Sequence, residues 1–132
     1  MEYVDNNEKK AKALRPVLRG FNSSSSEIEA SAVISSDGFT LAWELDGSVD
    51  PDRYGAMCAS LLALSKRAAQ EIGRGELKQV MIEGENGAML LVSAGSGAVL
   101  ALGTKATANM GMVFIEARKT AEKVKEILSA IG

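Results

Sequence analysis

Few side chains in this 132-residue chain are of the types that perform acid–base or nucleophilic chemistry. The chain has no histidine and one cysteine, Cys58. Without histidine, one chain cannot build a Ser-His-Asp or Cys-His catalytic set, and the usual His/Cys zinc sites are excluded as well. Cys58 lies in an apolar segment with no histidine to deprotonate it, which favours a buried structural thiol over a nucleophile.

Two pairs of carboxylates have the spacing that places side chains on one side of a strand: Glu27 with Glu29, and Glu83 with Glu85. Acid–base catalysis by such a pair requires one carboxyl in an apolar pocket while the other stays ionised. These residues fall on polar faces or in turns, which is typical of a solvated surface. We therefore predict no catalytic residue, no bound metal and no cofactor.

Two glycine-containing segments, Gly84–Gly87 and Gly95–Gly97, invite comparison with phosphate-binding loops. A phosphate loop connects a strand to a helix whose first N–H groups face the anion. Both segments here connect two predicted strands, and neither is followed by Gly-Lys-Ser/Thr. They indicate turns between strands.

The composition indicates one globular domain. Apolar residues make up 46% and charged residues 24%, and 15 basic against 17 acidic residues give a net charge of −2, which offers no reason to expect a nucleic-acid surface. The charged start, Met1–Lys12, lacks the apolar core of a signal peptide, and no stretch approaches the ~20 apolar residues that cross a bilayer. We expect a single cytoplasmic domain over residues 1–132, without membrane contact.

Hydrophobic periodicity predicts three helices and five strands. The helices are expected at about Asn7–Phe21, Pro51–Ile72 (with Asp50 as N-cap) and Asn109–Ala130, and the strands at Ile28–Ser35, Phe39–Leu45, Leu77–Glu83, Ala88–Ser93 and Ala98–Gly103. Pro16 is expected to kink the first helix or to move its start towards Arg15. Residues 1–26 are then an N-terminal helix with a flexible serine connector at Ser23–Ser26, and residues 27–132 are the core.

The order of these elements predicts an α+β domain with an antiparallel sheet. Alternation in Ile28–Ser35 predicts a strand with one face more buried than the other, and the second strand is expected to place Phe39, Leu41, Trp43 and Leu45 on one face. Asp37-Gly38 predicts a hairpin of type I′, in which both central residues have positive φ. The fourth and fifth strands are apolar on both faces, so they are expected inside the sheet with helices on both sides.

The second helix has more apolar surface than one sheet can cover. Residues 54–64 carry no charge, and their two apolar faces together exceed the stripe that a helix buries against a single layer. Burial within its own subunit is the alternative, but three helices leave little to cover the outer side. An exposed apolar patch of this size marks an interface.

The third strand supports a contact between two copies of the chain. Its centre, Val80–Ile82, is apolar on both faces, and its charges, Lys78 and Glu83, fall at its ends where they do not block pairing. We therefore predict a homodimer. The contact residues are predicted to be Tyr54, Met57, Cys58, Leu61, Leu62, Ser65, Val80, Met81 and Ile82.

Four segments of the chain form a recognisable series: Asp37–Ala42, Ala68–Leu77, Val80–Gly84 and Ala108–Met112. In this order and spacing they resemble the roadblock/LC7 family of dynein light-chain-like domains, which includes bacterial and archaeal regulators of Ras-like GTPases. The resemblance covers about Ile28 to Leu128. It implies a roadblock/profilin-like fold, in which a five-stranded antiparallel sheet lies between helix two on one face and helices one and three on the other.

The resemblance also implies a function. Family members form dimers in which the two third strands pair and the two second helices lie side by side as a platform for a small GTPase. The protein is then a non-enzymatic scaffold or regulator of a small Ras-like GTPase, and a structural adaptor in a motility complex or a small-ligand sensor are the alternatives. The residues predicted to contact the GTPase lie on the outer, polar side of helix two: Asp52, Arg53, Ser60, Lys66 and Arg67.

Overall fold

Three helices and five strands form in the predicted order over the residues that the structure describes. This computed structural model describes residues 6–95 and 97–132, so the predicted chain start at Met1–Asp5 and Ser96 of a predicted turn lie outside it. The elements are α1 Asn6–Ser24, β1 Ile28–Ser35, β2 Thr40–Glu44, α2 Pro51–Glu71, β3 Gln79–Gly84, β4 Gly87–Ser93, β5 Ala98–Thr104 and α3 Met110–Ile131. Within the described ranges, no helix is long and apolar enough to cross a bilayer.

The strands form one antiparallel sheet in the order β2-β1-β5-β4-β3. Strand β5 is central, β4 is internal, and β2 and β3 are the two edges. Helices α1 and α3 pack on one face, whereas α2 packs on the other face, where its backbone comes closest to β1 and β2. The predicted α+β sandwich is confirmed, and β3 lies at one edge of its sheet.

Two hydrophobic cores lie on the two faces of the sheet. The core on the α1/α3 side is the larger, and its largest fully buried side chains are Leu14, Leu18, Val33, Leu90, Leu100, Leu102, Val113 and Val124. The core on the α2 side consists of Ala32, Ile34, Cys58, Leu91, Val99 and Ala101. Only Gly55 and Cys58 of helix α2 are buried. The surface that α2 buries against the sheet is therefore small for a helix of its length.

Helix α1 continues across Pro16 and through Ser24, so Ser23 and Ser24 belong to the helix and not to a flexible connector. Both serine hydroxyls donate to carbonyls of the last turn: Ser23 Oγ to the Arg19 oxygen at 2.8 Å and Ser24 Oγ to the Phe21 oxygen at 2.7 Å. The Phe21 carbonyl is one of the four that a helix end leaves without a backbone partner, so the Ser24 bond satisfies it, whereas the Ser23 bond is an additional contact to a carbonyl within the helix.

Strand β1 is covered on both faces, contrary to the prediction of one more buried face. The register shifts between Ile28 and Ala30, so the strand changes phase there. As a result Ile28 and Val33 lie in the core on the α1/α3 side, whereas Ala32 and Ile34 lie in the core on the α2 side. The alternation seen in the sequence does not reveal this irregularity.

Strand β2 also departs from the predicted alternation. A register shift opposite Val33 and Ile34 leaves Leu41 without a direct partner, and Leu41 and Ala42 both enter the core on the α1/α3 side. Phe39 and Trp43 are exposed instead of sharing a buried face with Leu41. The bulge therefore separates residues that strict alternation would place together.

The β1–β2 hairpin has a different turn from the predicted type I′. Of the loop residues Ser36, Asp37 and Gly38, only Gly38 has a positive φ, +91°. The Gly38 N–H donates to the Ser35 carbonyl at 3.0 Å, and the Ser35 N–H donates to the Phe39 carbonyl at 2.8 Å. This is a three-residue loop with glycine in the left-handed position after the turn.

Helix α2 begins and ends at the predicted residues. The Asp50 carboxylate accepts from the Asp52 N–H at 3.0 Å, and Pro51 occupies the first helical position. At the other end Gly73 has φ +70°, its N–H donates to the Gln70 carbonyl at 3.1 Å, and the Arg74 N–H donates to the Ala69 carbonyl at 2.8 Å. This is a Schellman motif, which defines where the helix stops.

Gly55 allows α2 to lie close to the β1–β2 hairpin, and its replacement tests this packing. A Cβ at this position would overlap Thr40 Oγ1, which donates to the Pro51 carbonyl at 2.7 Å, and would lie 2.8 Å from the Gly38 carbonyl oxygen. We expect Gly55→Ala to lower the free energy of unfolding by about 1–3 kcal/mol, measured by urea denaturation.

The matched control is Gly20→Ala in α1, where a Cβ would meet no atom within 4 Å. This change should raise the free energy of unfolding by about 0.5–1 kcal/mol because alanine favours the helix. Equal effects of the two substitutions would contradict the close approach at Gly55.

Candidate interaction surface of helix α2 and strand β3

Helix α2 exposes one continuous apolar flank. Met57 is 55% exposed and Leu64 is 66% exposed, while Leu61 between them is partly buried against the core on the α2 side. Spacings of four and three residues place these side chains on the same side of the helix. We call Met57, Leu61 and Leu64 the apolar flank of α2.

The neighbouring part of the sheet extends this apolar flank. Val80 of β3 packs against the core on the α2 side, so Ile82, two residues further along the strand, lies on the same face. Ile82 is 44% exposed and lies directly opposite Met89 of β4, which is only partly buried. The α2 face of the sheet is thus apolar but incompletely covered at its β3 edge.

Met81 of β3 points to the other face of the sheet. It lies opposite Leu90, a residue of the core on the α1/α3 side, and is 46% exposed. Together, Met81 and Ile82 show that the edge strand exposes apolar side chains on both faces.

The polypeptide backbone of β3 also has one unpaired side. The Ser93 N–H donates to the Lys78 carbonyl at 3.2 Å, and the register pairs Gln79 with Val92. Since backbone groups alternate in direction along an antiparallel strand, every second residue from Lys78 bonds to β4. The N–H and C=O groups of Gln79, Met81 and Glu83 therefore face the free edge.

Cys58 does not belong to this exposed surface, although it was among the predicted contact residues. Its side chain is fully buried in the core below α2, next to Tyr54. Burial raises the pKa of the Cys58 thiol to about 11, partly offset by its hydrogen bond with Tyr54, and burial also raises the pKa of the Tyr54 hydroxyl. The prediction of a structural thiol is correct, and its assignment to the intersubunit contact is wrong.

The other predicted contact residues differ in how far their side chains are exposed to solvent. Met57, Met81 and Ile82 are exposed, whereas the partly buried ones are Tyr54, Leu61, Leu62, Ser65 and Val80. Sequence reasoning left Leu64 and Met89 out of the contact set. The helical spacing from Met57 identifies Leu64, but Met89 follows only from its pairing with Ile82.

The residues predicted to contact a GTPase are exposed and lie on two sides of α2. Arg53, Ser60 and Arg67 recur every seven residues, so they form one ridge along the outer side of the helix. Lys66 lies further round, where it lines a small cavity of about 30 Å³ with Ser36. The structure therefore brings three of the five residues together and places Lys66, with Asp52, beside this ridge.

An open groove lies beside the β1–β2 turn. It has a volume of about 590 Å³, and its lining includes Lys10, Asp37, Phe39 and Lys125. The Asp37 carboxylate accepts a hydrogen bond from Ser35 Oγ, which lowers the pKa of Asp37. Among the described residues, no group of three or more His, Cys, Asp or Glu side chains is arranged to hold a metal.

Comparison with known proteins gives consistent results. Residues 20–104 match the Roadblock/LC7 domain. An uncharacterized protein of Methanocaldococcus jannaschii is 44% identical over 98 residues, which are 74% of this chain and 85% of that protein. Similar solved structures include a Roadblock/LC7 domain from Streptomyces avermitilis (TM-score 0.82, 23% identity, 88% of this chain and 98% of that one) and MglB with a tetrameric arrangement (TM-score 0.80, 21% identity, 100% and 96%).

The burial of Cys58 predicts a thiol that does not react in the folded protein. With a pKa of about 11, on the order of one thousandth of it is thiolate at pH 8, and its side chain is inaccessible. A colorimetric thiol reagent at pH 8 should label the native protein slowly and the protein in guanidinium rapidly. Ser60→Cys adds an exposed thiol on the same helix as the control, and it should label rapidly in the folded state; rapid labelling of the unmodified native protein would contradict the burial.

Proposed function

This chain belongs to the roadblock/LC7 domain family, and from that premise we propose that it is a homodimeric, non-enzymatic scaffold or regulator that binds a small Ras-like GTPase. The observation that carries the proposal is the exposed apolar surface formed by the apolar flank of α2 and by Val80, Ile82 and Met89. A single chain leaves this surface in water, and a second copy can cover it.

A stable dimer requires only a small part of the chain's surface. A standard protein interface buries about 800 Å² on each partner, which is about a tenth of the 8080 Å² of accessible surface on this chain. Leu61 of the apolar flank packs against the same core as Val80 and Met89 near the β3 edge, so one partner can cover both at once. An isologous two-fold contact uses the same surface patch on both copies.

The dimer would place the outer sides of the two α2 helices next to each other. Arg53, Ser60 and Arg67 on each helix would then border a shared apolar groove, and Lys66 and Asp52 would lie further out on the same platform. Interfaces of this kind have an apolar centre and a polar rim, and the charges of the rim mostly determine association rate and salt dependence. A GTPase near the two-fold axis would block a second one, so we propose two chains for each GTPase.

The whole chain is proposed to act as one domain of this kind, with helix α1 included. Leu14, Leu18 and Phe21 of α1 are buried in the core on the α1/α3 side. The segment matched to the family starts at residue 20 and ends at residue 104, yet α1 and α3 supply the layer that covers this face of the sheet. Removing either helix would expose that core.

Self-association is tested by placing a charge on the apolar flank of α2. We expect the unmodified protein to have about twice the chain mass of 13.9 kDa at micromolar concentration. Leu64→Asp should give the chain mass instead, because it buries an unpaired carboxylate in the contact at a cost of several kcal/mol. Sedimentation velocity measures both masses.

Ala63→Asp is the matched control, since it introduces the same charge one residue away at an exposed position outside the apolar flank. It should remain dimeric. A monomeric mass for the unmodified protein, or equal dissociation by the two variants, would contradict the proposed contact.

GTPase binding is tested by reversing charge on the outer side of α2. We expect Lys66→Glu/Arg67→Glu to weaken capture of a small Ras-like GTPase by about tenfold, mainly through slower association, while the dimer mass is unchanged. The measurement is surface-immobilised capture of each Ras-like GTPase of the source organism, loaded with GDP or with a non-hydrolysable GTP analogue.

The matched control reverses two exposed lysines of α3, in Lys119→Glu/Lys123→Glu, on the opposite face of the sheet. Binding should be unchanged in this variant. Loss of binding in the α3 variant alone would move the partner site to the other face, and a dimer that captures no GTPase in either nucleotide state would favour a structural adaptor.

A further inference from the structure

The free edge of β3 restricts how two copies of this strand can pair, and the following inference rests on the proposed self-association. A two-fold axis perpendicular to the sheet keeps α2 of both copies on the same side. Residues directly opposite each other in an antiparallel pair point to the same face. Therefore an odd-numbered residue of one β3 must lie opposite an odd-numbered residue of the other.

Backbone hydrogen bonding selects one register from those that remain. Gln79, Met81 and Glu83 are the residues of β3 whose N–H and C=O groups face the free edge, since Lys78 and every second residue after it bond to β4. With Met81 opposite itself, Gln79 lies opposite Glu83, and all three residues find partners within the strand. A shift of two residues in either direction leaves one of them to pair outside β3.

Side-chain chemistry selects the same register. On the α2 face, Val80 lies opposite the partner's Ile82, which joins two apolar side chains. On the other face, Gln79 lies opposite the partner's Glu83. The shifted registers place Lys78 opposite Ile82 or Met81 opposite Glu83, and each of these sets a charge against an apolar side chain.

Helix α3 supplies a cation at the position where the partner's Glu83 would lie. Arg118 Nη2 donates to Gln79 Oε1 at 3.3 Å, and the guanidinium lies 6.0 Å from the centre of the Phe114 ring. These two contacts hold Arg118 over the Gln79 end of β3. A guanidinium has further N–H donors that a carboxylate can accept from.

We propose that Met81 lies on the two-fold axis of the dimer and that Arg118 of each subunit forms an ion pair with the partner's Glu83. The two ion pairs flank the axis symmetrically on the α1/α3 face. The α2 face of the same edge is apolar. The register of the intersubunit sheet is thus fixed by charge on one face while the apolar contact is made on the other.

Charge exchange tests this pairing. Glu83→Arg and Arg118→Glu should each raise the dimer dissociation constant by about tenfold or more, because each change places like charges together at two symmetric positions. The double variant Glu83→Arg/Arg118→Glu should restore the dissociation constant to within about threefold of the unmodified protein. Dilution series in sedimentation velocity give these constants, and circular dichroism verifies that each variant is folded.

Glu85→Arg is the matched control, because it reverses a carboxylate at the same end of β3 that faces no cation in this register. The double variant Glu85→Arg/Arg118→Glu should therefore not restore dimer association. Restoration by the Glu85 combination in place of the Glu83 combination would mean a register shifted by two residues, and restoration by neither would overturn the ion pair. A monomeric unmodified protein would instead overturn the proposed self-association itself.

Cysteine substitution locates the axis independently of charge. Met81→Cys should crosslink to its own copy with a short bifunctional thiol reagent, since paired residues across a strand edge are about 5.5 Å apart between Cα atoms. Val80→Cys and Ile82→Cys should crosslink much less, and the unmodified protein not at all because Cys58 is buried. Preferential crosslinking at Val80 or Ile82 would place the axis elsewhere and contradict the proposed register.

Discussion

The sheet is wider than the single helix that covers one of its faces. Five strands at about 4.8 Å spacing span roughly 20 Å, whereas one helix with its side chains is about 10 Å across. On the other face α1 and α3 together cover β1, β2, β4 and β5. On the α2 face the backbone of the helix comes closest to β1 and β2, and the core beneath it extends to β5 and β4. Val80, Ile82 and Met89 near the β3 edge are left without a complete cover.

The proposed function follows from this mismatch of widths. The apolar flank of α2 and the incompletely covered β3 edge of the sheet belong to one surface, which a second copy placed by a two-fold rotation would cover. The platform for a GTPase would then be a property of the dimer, since the paired outer sides of α2 do not exist in one chain. Self-association and partner binding would therefore be coupled.

The sequence predicts the elements well because their signals are local. Asp50-Pro51 and Gly73 determine the ends of α2 through capping, and the apolar centre of β3 with its terminal charges identifies an unprotected edge. The bulges at Ile28–Ala30 and opposite Val33–Ile34 could not be predicted, because they depend on how β1 meets two neighbouring strands at once. Placing Cys58 in the interface was wrong for a related reason: helical spacing alone does not show which of two apolar faces meets the sheet.

The central claim is that the free edge of β3 is paired in the associated protein, and amide hydrogen exchange tests it directly. The N–H groups of Gln79, Met81 and Glu83 face away from β4, so they have no strand partner in a single chain. We expect these three amides to exchange slowly at high protein concentration and to lose protection on dilution below the dissociation constant, while amides bonded to β4 stay protected. Rapid exchange of all three amides at every concentration would contradict a dimer paired through β3.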